Sequence, residues 1–301
     1  MSKWKNLIFD RWTSSYEHSL PYRVFKAYDD ELFSYITNLE RNNDYIYSHL
    51  KKDGAQWETK AYNFGLTEAD KKQTVREWSE RNNKYRNWAR LSFMMSCCSL
   101  FENYIASIIK EVIESDPGII IGFSHSVDGI QLMKHSGQLS NEIIEPIIKN
   151  CTKGEWQSRL VYLNRLTKQI PQILNDSISE LEVMRKLRND FGHAFGRDIQ
   201  RSQNYFEPTI SPIHPLSIAR FNKFHFIIRN IVRELDKALM HNHIGNFEPL
   251  LQFHTIYPKI QKLDKGEQMV QFKATLYNER NIMHGANKKF CRALINYYHN
   301  L

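Results

Sequence analysis

The stretch LEVMRKLRNDFGHAFGRD, Leu181 to Asp198, decides how the chain is read. Upstream of it and into it, Ile178, Leu181, Met184 and Leu187 recur every three residues, which predicts a helix over about 176–190 with a drifting apolar side. Arg188 follows Leu181 by seven positions, so at ~100° per residue it lies within roughly 20° of the same direction. A guanidinium on the inward side of a helix is costly unless something pairs with it. Gly192 offers a place for the helix to stop, because glycine is a common helix terminator. His193 is then expected to leave helical angles and swing back toward Arg188. A fixed cation beside a titratable imidazole suits a phosphate. The plainer reading of the same residues is a capped helix end with a surface histidine.

Outward from this stretch the chain reads as helical throughout. Further helices are expected over about 22–51, 140–150, 154–170, 215–240, 266–282 and 286–299. The longest is expected from an N-cap at Thr67 to about Ser115. Its second half carries an apolar seam of Trp88, Leu91, Met95, Cys98, Ile105, Ile109 and Val112. Glu102 occupies the seam position between Cys98 and Ile105. A carboxylate there either sits at the wet edge of the stripe or faces Arg188 or His193 and orients it. Residues 52–66 and 196–214 read as loops, and 246–262 as a short helical or irregular connection. No alternating strand pattern of useful length occurs. The expectation is an all-α fold: a central helical bundle over 84–245, with helical extensions at the N-terminus (1–83) and C-terminus (246–301).

Composition narrows the class. The chain has 301 residues, of which 42% are hydrophobic and 25% charged, ordinary for a soluble globular protein. With 12 Gly and 9 Pro it is poor in turn formers, which argues against an all-β fold. The apolar run Leu91 to Phe101 is broken by serines and too short for a bilayer, and Asp10 and Arg11 interrupt any signal-like segment. A soluble, cytoplasmic protein with no membrane association is expected. The 4 cysteines give neither zinc spacing nor a disulfide framework. A net charge of +8 permits a polyanionic partner without requiring one. The pair His241 and His243 lacks Cys, Asp or Glu at a useful spacing, so no metal site is expected there. Phosphate loops, serine elbows and dinucleotide fingerprints are missing from the sequence.

Arg188-Asn189-Asp190-Phe191-Gly192-His193 resembles the signature of HEPN domains, an Arg followed by Asn or Asp and then His after a short gap. The order of elements is similar too. A long helix carries Phe101-Glu102-Asn103-Tyr104, then come a helix begun by a Trp, the motif helix and a closing helix, over about 84–245. The resemblance implies a helical bundle and a metal-independent endoribonuclease that needs no cofactor. Arg188, His193 and Asn189 would be the catalytic set, with Asp190 and Glu102 in support. It further implies a homodimer whose two motif helices meet about a twofold axis, and a role as a toxin or anti-phage, abortive-infection effector restrained by an antitoxin or activating partner. RNA, such as tRNA or mRNA, would be the substrate. Within the same family some domains are non-catalytic, so a helical interaction or regulatory protein is the alternative. A second cluster, Glu279 to Gly285, echoes the motif with Arg280 and His284 four apart, and reads as an RNA-contact patch, a degenerate second motif or an ordinary helix end.

Overall fold

A computed structural model describes residues 8–202, 212–278 and 287–301. The protein is all-α. Twelve α-helices are present among the described residues: α1 (Leu20–Lys52), α2 (Val75–Ser115), α3 (Gly129–Ser136), α4 (Asn141–Thr152), α5 (Trp156–Thr167), α6 (Gln172–Asp176), α7 (Ile178–Ala194), α8 (Ile199–Ser202), α9 (Ile218–Leu239), α10 (Phe247–Ile260), α11 (Lys265–Asn278) and α12 (Lys288–Asn300). Extended pairing among these residues is limited to one isolated bridge, Lys60 with Thr74.

The longest helix starts later than expected, and the reason is chemical. Thr67 accepts the Asp70 amide at 3.3 Å and makes only a local turn. Thr74 and Glu77 instead form a reciprocal capping box: the Glu77 carboxylate accepts the Thr74 amide (2.9 Å), and the Thr74 hydroxyl accepts the Glu77 amide (3.2 Å). The T-x-x-E pattern satisfies two amides where Thr67 satisfies one. The connection over 246–262, expected to be short helical or irregular, is the 14-residue helix α10.

The chain divides into two compact units, each assembled from separated segments. The motif unit comprises Lys26–Phe101 and Ser179–Arg229; the terminal unit comprises Met1–Phe25, Glu102–Ile178 and Asn230–Leu301. This division interleaves the chain, unlike the three consecutive blocks 1–83, 84–245 and 246–301 drawn from the sequence.

In the motif unit, α1, α2, α7 and α9 supply the core residues Ile36, Leu91, Met94, Cys97, Leu181, Met184, Phe221 and Ile228. The buried stripe of α2 passes through Met94, Cys97 and Phe101, whereas the expected seam residues Met95 and Cys98 are only half-buried. Two arginines of α2 meet one glutamate of α1: Glu40 accepts from Arg90 at 2.6 and 2.9 Å and also from Arg86. Burial opposes the charge on Glu40, but these hydrogen bonds outweigh it and hold the carboxyl below its ordinary range. By length and composition alone α2 passes as a membrane span; 44% of that window is buried, and core helices of soluble proteins meet the same criterion.

In the terminal unit α10 packs against α3, α11 and α12, and α4 against α5. Arg11 ties three segments together, donating to Asp128 (3.0 Å), to the Ile244 carbonyl (2.7 Å) and to the Ser115 hydroxyl (2.9 Å). A buried acidic pair lies in the same unit. Glu111 of α2 and Glu248 of α10 share a hydrogen bond, and Arg23 pairs with Glu248 at 2.8 Å. Burial, then the charge of Glu248, pushes the Glu111 carboxyl well above its ordinary value of 4.5. Folded Glu111 therefore keeps a proton that the unfolded chain releases, so stability falls as pH rises above that ordinary value. In urea denaturation across pH 5–8, Glu111→Gln is expected to keep the hydrogen bond and flatten this decline; an unchanged pH slope would show that Glu111 is not the group responsible.

Candidate active site

Helix α7 does not stop at Gly192. It runs through His193 to Ala194 and ends on two left-handed residues, Phe195 (φ 55°) and Gly196 (φ 77°). The aromatic side chains explain the extension. Phe191 and Phe195, four apart, both lie against Trp88 of α2, with ring centroids 5.8 and 5.9 Å away. Ending the helix at Gly192 would separate that pair, and the packing outweighs the ~1 kcal/mol that an interior glycine costs.

At the close of α7 a polar clamp forms within the motif unit. The Gly196 amide donates to the Asp190 carbonyl (3.0 Å), and the His214 amide donates to the Gly196 carbonyl (2.7 Å). The His214 imidazole then meets the Asp190 carboxylate at 2.9 Å. Asn87 of α2 completes the clamp: its side-chain NH2 donates to the His214 carbonyl (2.9 Å), and its oxygen accepts the Leu216 amide (2.7 Å). Asp190, expected in a supporting role, has His214 as its imidazole partner. No local pattern marks His214, whose ring meets a residue 24 positions away in the chain.

The expected catalytic residues take distinct positions. Arg188 is half-buried and donates to the side-chain oxygen of Asn189 at 3.2 Å. His193 is exposed. On one unbroken helix, a five-residue separation turns the two side chains about 140° apart and about 7.5 Å along the axis. His193 therefore does not swing back toward Arg188, because it is held in helical conformation. Glu102 belongs to the terminal unit and is paired there: Arg159 lies 3.3 Å and Lys153 3.6 Å from its carboxylate oxygens. It sits one residue beyond buried Phe101, at the edge of the stripe, where it anchors the start of α5. Arg159 also covers the Trp156 ring at 4.6 Å. Arg280 and His284 lie outside the described residues.

Beside His193, the ring of Phe195 stays more than half exposed, and the Arg197 guanidinium stands 5.3 Å from its centroid. The end of α7 thus presents an imidazole and a partly exposed aromatic ring with a cation over it. The four cysteines carry no disulfide, and burial raises the thiols of Cys97 and Cys151, the latter to about 12, so neither is a poised nucleophile. No family model, curated protein or solved structure matches the chain.

Gly196 is the most constrained point of the clamp. A Cβ there would lie 3.1 Å from a Leu91 methyl and 3.2 Å from an Ile213 methyl, on a backbone that favours glycine. Gly196→Ala is expected to destabilise the protein by about 1–3 kcal/mol. Chemical denaturation measures this, and an unperturbed midpoint would mean that the turn relaxes freely.

Proposed function

We propose that the protein is an endoribonuclease of the HEPN type, acting without a metal through Arg188 and His193. The observation that carries this reading is the grouping at the end of α7. An Arg-x4-His pair stands on a helix that packing fixes, with His193 accessible and an exposed aromatic–cation platform at Phe195 and Arg197.

The chemistry asks little of the protein. In RNA the 2′-hydroxyl already lies next to the phosphorus, so the substrate supplies proximity. His193, an exposed imidazole, transfers the proton. Arg188 offers a planar fork of donors to the phosphoryl oxygens and stabilises the charge that develops there. Asn189 orients the Arg188 fork through the hydrogen bond it already accepts. Phe195 gives an unpaired base a surface on which to stack, as single-stranded RNA recognition commonly uses. The products are a 2′,3′-cyclic phosphate and a 5′-hydroxyl. Because Arg188 and His193 diverge on one helix, the working site is assembled from two copies, with the Arg188 of one serving a phosphate that the His193 of the other attends. Release of such an activity on infection or stress, under the control of an antitoxin or activating partner, fits the same reading.

The divergence also favours a second reading, in which the motif is structural and the protein is a helical interaction module. RNA cleavage in EDTA separates the two. Wild type is expected to yield cyclic-phosphate ends, and His193→Ala and Arg188→Ala each to lose about a hundredfold or more in rate. Equal cleavage by both variants removes the proposed mechanism, and a strict monomer with or without RNA removes the shared site.

A further inference from the structure

The turn that follows α2 gathers metal-ligand side chains from separated parts of the terminal unit. Asp116 precedes the 3-10 turn Pro117–Ile121, His125 lies in the loop after it, and His243 sits in the π-helical turn Met240–Ile244. Asp116 and His243 are buried, while His125 is 40% exposed, which leaves a path from solvent. One ligand atom from each lies within 4.8 Å of the other two.

The tautomers follow from the carbonyls nearby. His243 Nε2 is 3.3 Å from the Thr167 carbonyl, which can only accept, so Nε2 carries the proton. Neutral His243 then turns a bare Nδ1 toward Asp116 Oδ2, 3.0 Å away, and toward the Ser124 hydroxyl oxygen at 3.3 Å. The Ser124 proton is already given to that same carboxylate oxygen. Two acceptors facing each other in a buried place require a cation between them, either a proton or a metal ion. Orientation of an imidazole by a backbone carbonyl on its far nitrogen is the usual outer-shell arrangement of a histidine ligand.

His125 decides between these cations. A buried imidazolium–carboxylate pair would need no second histidine, yet His125 Nε2 comes to 4.0 Å from the same Asp116 oxygen. It is held there against backbone preference, at φ 62°. Its amide donates to Asp116 Oδ1 (2.7 Å), and its ring stacks on Trp12 at 4.0 Å. The loop is drawn tight enough that a Cβ on Gly118 would fall 2.1 Å from the Phe123 carbonyl oxygen.

We propose that Asp116, His125 and His243 bind one divalent transition-metal ion of the zinc class. Two imidazole nitrogens and one carboxylate oxygen suit zinc, whose bonds of about 2.0–2.2 Å place ligand atoms a little over 3 Å apart. The 3.0 and 4.0 Å separations bracket that spacing. The Asn242 carbonyl, 2.6 Å from His125 Nε2, accepts that nitrogen's proton in the metal-free protein; on metal uptake the ring shifts off this carbonyl and carries its single proton on Nδ1, so that Nε2 is left to the ion. The ion would pin the 116–128 loop to the turn after α9. This site is separate from Arg188 and His193 and does not rest on the ribonuclease reading.

The test is direct metal titration of the whole chain. Protein stripped with chelator and dialysed is titrated with zinc chloride alone, followed by a competing zinc indicator and by thermal unfolding. One equivalent is expected to bind per chain and to raise Tm. His125→Gly suits the positive φ and leaves the buried Asp116–His243 pair intact but gives up the stack on Trp12 and the bond to the Asn242 carbonyl, so its own metal-free Tm is the reference: the rise in Tm on zinc addition is expected to be lost and zinc affinity to fall by about tenfold or more. Absence of stoichiometric binding, or equal affinity in His125→Gly, overturns the proposal in favour of a proton between Asp116 and His243. Both readouts are binding measurements, so they stand whatever RNA cleavage shows.

Discussion

The contact between Asp190 and His214 governs what the motif helix can present. A helix with an exposed glycine two residues from its end would fray if its last carbonyls were left to solvent. Here the carbonyl and the carboxylate of Asp190 are both used, one by Gly196 and the other by His214. Asn87 then fastens the His214 backbone to α2. Arg188, Asn189 and His193 therefore stand on a helix end with a fixed direction. The clamp also explains why Asp190 gives nothing to His193: its capacity goes into holding the helix, and the imidazole is left exposed to solvent.

The terminal unit solves a different problem, that of buried charge. Arg11 reaches Asp128, Ser115 and the Ile244 carbonyl, so its donors are spent on acceptors in the interior. Glu111 and Glu248 solve it by keeping a proton, since two carboxylates in such a place cannot both ionise at modest cost. Glu102 solves it at the rim of the stripe, between Arg159 and Lys153. These ionic sets connect residues far apart in the chain. An inward charge therefore marks where a partner must exist without marking which one.

That distinction sets how much was legible in the sequence. Helix content follows from local period, and the all-α class, α1, α4, α5, α9 and α12 were readable to within a few residues. The α2 seam was read with its middle shifted by one residue, because Met94-Met95 and Cys97-Cys98 are apolar pairs that satisfy either register. Only tertiary packing selects Met94 and Cys97. Gly192 misleads for a similar reason: local propensity favours a stop, and the contacts of Phe191 and Phe195 with Trp88, about a hundred residues away in sequence, override it. Of the candidate site, Arg188 and His193 could be named from spacing alone, whereas His214 and the pairing of Glu102 with Arg159 could not. His243 was dismissed as a ligand because its neighbours in sequence offer none; Asp116 and His125 reach it only through the fold.

The unbroken helix sharpens the demand that the proposed chemistry makes. Were His193 in a loosened turn, a single chain could bring it beside Arg188 and serve one phosphate alone. Held about 140° apart, the two side chains address different sides of α7, and one phosphate cannot lie between them on one copy. A twofold pairing removes the conflict, because the side of α7 bearing Arg188 in one copy then faces the side bearing His193 in the other. It also brings two guanidiniums into one groove. In the proposed pairing, two like charges in one groove would favour a polyanion there. On this reading RNA is both the substrate and the counterion that lets the two copies close, which couples assembly of the site to the presence of what it cuts.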